Sequence, residues 1–289
     1  MLDRRLRAAL ESAGVCLVPS GYYYPVPTLQ DIEESFEYRE PRPFFDGALF
    51  DKDALARNLR ALLPFAREFD PPTEGDCEEP DGYHWGASTF SDADAMAYYC
   101  MLRRARPRRV VEVGAGFSTL IATQALGVNG RGRVLCVDPE PPGFLAGRPG
   151  VTLLREKAQD LNPGFFNRHL KDGDVLFIDS THTVKTGSDV VHLYLRVLPR
   201  LTSRVLVHVH DVFFPRPLPK PWLLERHLYW GEPYLLYAYL LDNPRVRVLF
   251  GSTLNRLLHR RLLEQLMQGK SGAGGASLWF ELRPPRRKR

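Results

Sequence analysis

The sequence predicts an α/β fold: a doubly wound, mostly parallel sheet covered by helices, preceded by an N-terminal region of different character. Three observations predict it. Val110–Thr119 reads Val-Val-Glu-Val-Gly-Ala-Gly-Phe-Ser-Thr, a short apolar run passing into a glycine turn with a helix-compatible segment behind it. A second apolar run, Val134–Val137, stops at Asp138, which stands 22 residues beyond Gly116. From Arg108 onward, short apolar strands and helix-compatible segments alternate. Strand, glycine turn, helix, strand and acid is how an open α/β sheet builds a pocket for a nucleoside.

The strands are expected at Arg109–Val113, Val134–Asp138, Val151–Leu154, Val175–Asp179 and Arg204–His210. Each is β-branched and continuously hydrophobic, as expected of strands covered on both faces. Helices are expected at Ser118–Leu126, with Ser118 as N-cap, and at Ser188–Leu198. A proline-rich loop, Phe214–Pro221, then changes the rhythm. It leads to a helix over Tyr234–Leu241, a strand over Arg245–Phe250, an amphipathic helix over Thr253–Gln268 and a last strand over Ser277–Leu282. Residues 1–90 are rich in proline and aromatics (Tyr22–Tyr24, Pro41, Pro43, Phe44, Phe45) and read as an N-terminal cap or lid, with helices at Asp51–Phe69 and, at the entry to the main domain, Ser91–Arg104. Residues 91–282 read as the main domain.

With 44% hydrophobic and 25% charged residues the composition is that of an ordinary globular protein. No apolar run reaches the roughly 20 residues that span a bilayer, so no membrane association is expected. The N-terminus lacks the apolar segment of a secretory signal. The four cysteines (Cys16, Cys77, Cys100, Cys136) form no Cys-x-x-Cys pair, and a reducing, cytoplasmic setting is expected. The net charge of +5 equals the charge of Arg283, Arg286, Arg287, Lys288 and Arg289. The remainder is neutral, unlike a nucleic-acid-binding face, and residues 283–289 read as a basic disordered tail.

Which nucleoside the turn suits follows from its residues. A dinucleotide fingerprint wants a third glycine where this chain has Thr119, and a helix N-terminus bare for pyrophosphate. Glu112, two residues before the first glycine, would repel pyrophosphate but suits a ligand carrying an ammonium and a sulfonium. Glu-x-Gly-x-Gly resembles motif I of the class I S-adenosylmethionine-dependent methyltransferases. Two further stretches, Phe177-Ile-Asp-Ser-Thr-His182 and Val207-His-Val-His210-Asp211-Val-Phe-Phe-Pro215, resemble a bacterial methyltransferase subfamily termed type 24, as do Gly231–Leu236 and Ser277–Phe280.

The resemblance implies a seven-stranded Rossmann-like methyltransferase sheet whose last strand inserts antiparallel between the fifth and sixth. It implies that Glu112, Gly114 and Gly116 line the methionine end of S-adenosylmethionine, with Ala115 and Ser118 of the same turn also at the cofactor. Asp138 would hold the ribose, Gln159 would lie near adenine, and Asp179 would face the amino end or the reaction centre. Methyl transfer is an in-line displacement that needs an aligned acceptor and, for a hydroxyl, a base. Histidine suits that role. His210, at a strand end beside Asp211, is the first candidate and His182 the second. His208 is expected to be structural, and His169, His192, His227 and His259 to lie on the surface.

Asp179 and Asp211 are the candidate metal ligands. Magnesium is possible but not favoured, because a histidine stands where another acid would be expected. The expected activity is O-methylation of a small molecule or peptide in bacterial specialised metabolism. The alternatives are a nicotinamide-dependent oxidoreductase and a non-catalytic protein retaining the fold.

Overall fold

Seven strands form one sheet in the order β3-β2-β1-β4-β5-β7-β6. In this computed structural model, residues 4–21, 23–87, 89–90 and 92–285 are described; Tyr22, Ser91 and residues 286–289 of the basic tail lie outside them. The strands are β1 (Arg109–Val113), β2 (Arg133–Val137), β3 (Val151–Leu154), β4 (Val175–Ile178), β5 (Val205–Val209), β6 (Val246–Gly251) and β7 (Leu278–Leu282). The first five are parallel; β7 runs antiparallel between β5 and β6. Expected and observed strands agree within a residue at most ends. The chain leaves β1 outward through β2 and β3, then crosses back to place β4 on the other side. The carboxyl ends of β1 and β4 therefore open a crevice at the switch point, where doubly wound sheets bind ligands.

The helices depart from expectation where local chemistry intervenes. The helix after β1 spans Phe117–Asn129 with Gly116, not Ser118, at its N-cap; Ser118 is buried in the first turn. Pro64 divides the expected Asp51–Phe69 helix into Lys52–Arg60 and Leu63–Ala66, because proline cannot donate to the preceding turn. The Ser188–Leu198 helix is regular only over Asp189–His192, then widens into a π turn over Leu193–Val197. The expected Thr253–Gln268 helix breaks at His259, whose non-helical backbone (φ −139°, ψ 41°) separates Ser252–Leu258 from Arg260–Met267.

The chain divides into two compact units, residues 1–41 with 218–229 and residues 42–217 with 230–289. This differs from a cap reaching to residue 90. Leu59, Leu62, Ala66, Phe69, Tyr83, Trp85 and Phe90 share one hydrophobic cluster with Val110, Phe250 and Trp279 of the sheet and Ile121 of the helix that follows β1. Phe69 stacks on Tyr99 at 4.6 Å. Residues 42–90 are thus part of the domain core, where burial of large apolar side chains stabilises most. Within the smaller unit, Thr28 caps the helix Leu29–Glu34 in a reciprocal box with Asp31. The Tyr38 hydroxyl donates to the carbonyl of Leu218 at 2.9 Å, and the Lys220 ammonium lies 5.6 Å from the Tyr38 ring centroid.

Candidate active site

The glycine turn is held from below. Gly114 adopts φ +91°, and a Cβ there would stand 1.8 Å from the carbonyl oxygen of Asp179. Only glycine lets the ends of β1 and β4 meet this closely. Gly116 differs: nothing lies within 4 Å of where its Cβ would be, leaving the turn open for a ligand to approach. Glu112 does not line the opening. It is fully buried, accepts from the Tyr98 hydroxyl at 2.7 Å and from Thr119 Oγ1 at 2.5 Å, and burial pushes its pKa up to about 7. Its work is to anchor the turn. Its side chain and that of Ser118 are buried, and neither lines the cleft toward which the sequence directs them.

Above the turn, Asp138 accepts from the amide of Ala115 at 3.0 Å and from that of Glu140 at 2.8 Å, one on each carboxylate oxygen. Each oxygen keeps a lone pair, so the carboxylate can still receive two hydroxyls. A cleft of about 420 Å³ runs past Gly114, Asp138, Gln159 and Asp179 to Thr181 and Asp189. Its size is that of a small-molecule site. The structure therefore gathers Gly114, Asp138, Gln159 and Asp179 around one cavity, with Gly116 open and Ala115 tethered to Asp138.

At the far side of Asp179 the ends of β4 and β5 build a cluster of two histidines and several carboxylates. His182 and Asp211 both adopt left-handed backbone (φ +55° and +57°), unusual for residues with side chains and frequent at functional sites. His182 Nε2 lies 3.3 Å from Asp179 Oδ1 and 3.7 Å from Asp211 Oδ2. His210 Nδ1 lies 3.4 Å from Asp179 Oδ2 and 3.7 Å from Asp211 Oδ1. Each histidine is backed by a buried acid: His182 Nδ1 by Glu232 at 2.7 Å, His210 Nε2 by Asp94 at 3.2 Å. Tyr194 in turn donates to Glu232 at 2.8 Å.

The electrostatics follow from this mutual arrangement. Burial opposes charge on every member, but the pairing wins for most of them. Asp179 is held well below the usual carboxylate range by His210 and His182, and His182 is pushed up to about 10 by Asp179 and Glu232. His210 is likewise raised well above an ordinary imidazole, chiefly by Asp179. For Asp211 burial prevails and its pKa is raised.

Asp94 and Glu232 had no role in the sequence reading. Asp94 lies 116 residues from His210, and no spacing rule links them; Glu232 fell in a recognised segment without a function attached. His208 is structural as expected. It is wholly buried against Trp279 (4.2 Å between ring centroids), pairs with Ser277 Oγ at 2.7 Å, and burial lowers its pKa well below the ordinary value. His192 is not on the surface as expected. It is buried, with Nε2 2.8 Å from the Leu161 carbonyl.

The sheet order, the antiparallel seventh strand, the glycine turn after β1 and the acid after β2 define a class I methyltransferase fold. Residues 111–212, about a third of the chain, match the profile of the type 24 family, described as a methyltransferase domain. An uncharacterized protein of Archaeoglobus fulgidus is 26% identical over 165 residues, spanning 53% of this chain and 73% of its own. The S-adenosylmethionine complex of the O-methyltransferase TomG from Streptomyces achromogenes, involved in tomaymycin synthesis, is 14% identical, covers 85% of this chain and 100% of its own, and gives a TM-score of 0.45. An O-methyltransferase from Bacillus cereus with S-adenosylhomocysteine is 12% identical, covers 78% and 90%, and gives 0.43. Residues 111–212 thus carry a methyltransferase domain, which makes the protein an enzyme of methyl transfer. Among the described residues no helix is long and apolar enough to cross a membrane.

Proposed function

We propose that this enzyme methylates an oxygen of a small molecule, with His182 as the proton acceptor and a divalent cation held by Asp179, Asp211 and His210. The observation that carries the proposal is the convergence of His182 Nε2 and His210 Nδ1 on Asp179, at 3.3 and 3.4 Å, on the wall of the cofactor cleft. A hydroxyl acceptor needs its proton removed as the methyl arrives, and an amine or a carboxylate does not need so elaborate a centre. The type 24 resemblance supports an acceptor from bacterial specialised metabolism.

The donor set fits a cation. Asp179, His210 and Asp211 each offer one ligand atom, all within 4.8 Å of one another, and His210 Nδ1 is buried without a hydrogen-bond partner. A cation there would offset the charge of the two aspartates and polarise an acceptor hydroxyl. The protein's own groups do the rest. His182 donates from Nδ1 to Glu232, which fixes the tautomer and leaves Nε2 to take the proton. Without countercharge, Asp179 and Glu232 keep that nitrogen protonated, with a pKa of about 10. His182 therefore acts as a base only when the aspartate charge is balanced. His210, favoured from the sequence, has one nitrogen on Asp94 and the other between the aspartates, and neither is left to receive an acceptor proton.

The test is turnover of the full-length protein with S-adenosylmethionine and a panel of phenols, catechols, sugars and amines, reading S-adenosylhomocysteine by mass spectrometry. Hydroxyl acceptors should turn over, and His182→Gln should lower kcat by roughly 10²–10⁴ with cofactor affinity unchanged. Turnover of amines alone, or an unimpaired His182→Gln enzyme, would overturn the proposal.

A further inference from the structure

His210 has one ring nitrogen tied down and the other left over. Asp94 is wholly buried on the helix Asp92–Ala105, and its carboxylate is held by donors from distant parts of the chain. Ser252 Oγ donates at 2.5 Å, the amide of Ala276 at 2.8 Å, and His210 Nε2 stands at 3.2 Å. A carboxylate ion has no proton to give back, so Nε2 must carry the hydrogen. Phe90 stacks on the imidazole at 4.5 Å with 22° between the planes and covers one face of the ring. Nδ1 is then the atom aimed between Asp179 and Asp211, buried and making no hydrogen bond.

We propose, building on the cation site above, that Asp94 is a positioning residue that holds His210 as the Nε2–H tautomer. Nδ1 thereby becomes the nitrogen donor of that site and gives it a preference for a transition-metal divalent ion over magnesium. Magnesium takes oxygen ligands in strict octahedral geometry and sheds water reluctantly. Imidazole nitrogen suits iron, cobalt, nickel and zinc, and a carboxylate behind a ligating histidine fixes its orientation and raises its basicity. Asp94 occupies that supporting position, with Ser252 and Ala276 preventing it from swinging away. The substitution of nitrogen for oxygen in the ligand set is a property of this chain's own residues at positions 94 and 210.

The experiment uses the full-length protein, stripped by chelation, with cobalt(II) as the probe, followed by its visible absorption and by competition with magnesium. Cobalt should bind at least about tenfold more tightly than magnesium. Asp94→Asn should weaken cobalt by roughly 10–100-fold, the usual worth of a residue supporting a ligand, while S-adenosylmethionine binding reports that the fold is intact. His210→Asp, which replaces the nitrogen by oxygen, should shift the preference toward magnesium. In the zinc-loaded wild-type protein, nitrogen NMR of labelled histidine should show Nε2 protonated and Nδ1 on the metal; this needs no variant to fold. Tighter binding of magnesium, an unchanged cobalt affinity in Asp94→Asn, or metal on Nε2 would each overturn the proposal while leaving the cation site standing. Absence of any cation binding would overturn the site and the proposal together.

Discussion

The hydroxyl of Thr119 donates to the Glu112 carboxylate at 2.5 Å, and the same oxygen accepts from the amide of Gly116 at 3.2 Å. The residue that replaces a third glycine thus couples a buried acid to the cofactor turn. Thr119→Ala would leave both the Glu112 oxygen and the Gly116 amide one partner short. It is expected to destabilise the protein by roughly 1–3 kcal/mol and to loosen the turn, read as a lower Tm and weaker S-adenosylmethionine binding by calorimetry. A variant with wild-type Tm would show that the bridge carries nothing.

Glu112 makes stability depend on pH. Burial raises its pKa from 4.5 in the unfolded chain to about 7 in the fold. The folded state therefore favours the neutral carboxyl; this advantage is complete below pH 4.5 and is lost as pH rises through about 7. Glu112→Gln, which stays neutral, should gain on the wild type over that window, by on the order of 2 kcal/mol at pH 8. Urea unfolding at pH 5 and pH 8 measures it, and parallel pH profiles for the two proteins would count against the mechanism.

His182 governs the alkaline side. Its pKa rises from 6.5 in the unfolded chain to about 10 in the fold, so its contribution is fully present below pH 6.5 and disappears as pH rises through about 10. Unfolding free energy should fall between pH 7 and 10.5, and His182→Gln should flatten the decline. Saturating the site with a divalent ion should flatten it as well, because the cation stands in for the imidazolium charge. An identical alkaline slope in His182→Gln would show that other groups carry it.

At Gly114 the constraint is steric. Gly114→Ala combines φ +91° with a Cβ set against the Asp179 carbonyl. The loss should exceed the roughly 1 kcal/mol of an ordinary glycine-to-alanine strain and should separate β1 from β4, abolishing cofactor binding. Gly116→Ala meets no protein atom, so its fold should hold while cofactor affinity falls. Equal Tm values for the two variants would refute the distinction.

Asp138 is expected to hold the ribose. Asp138→Ala removes an acceptor from the Ala115 and Glu140 amides as well as from two hydroxyls. Hydrogen bonds to a charged group are worth about 1.5–3 kcal/mol, so calorimetry should show the Kd for S-adenosylmethionine rising by roughly 10–100-fold. An unchanged Kd would move the ribose to another residue.

The strands were legible because a sheet covered on both faces leaves continuous β-branched runs, and the turn was legible because Gly114, Gly116 and Asp138 have fixed spacing within one β-α-β unit. The helix ends were less so: a proline at 64 and a non-helical His259 divide what periodicity alone reads as single helices. The site was half legible. Asp179, His182, His210 and Asp211 all follow strands, where position predicts their gathering. Asp94 and Glu232 sit on helices far along the chain, and only the packing of those helices against the sheet edge brings their carboxylates to the imidazoles. Glu112 shows the opposite limit, since periodicity gives no sign of whether an acid at a strand end turns outward to a ligand or inward to a hydroxyl.

The antiparallel entry of β7 sets the order in which the reaction centre comes into being. The amide of Ala276 and the hydroxyl of Ser277, just before that strand, bind Asp94 and His208, which the ribosome has delivered long before. Domains begin to organise from the N-terminal side during synthesis, so β1 to β5 can pair while Asp94 still lacks its amide donor. Until the Gly275–Ser277 segment arrives, Asp94 lacks the Ala276 amide that helps fix its carboxylate against His210. The geometry of the reaction centre thus depends on a segment that follows β6, far along the chain from the helix that carries Asp94.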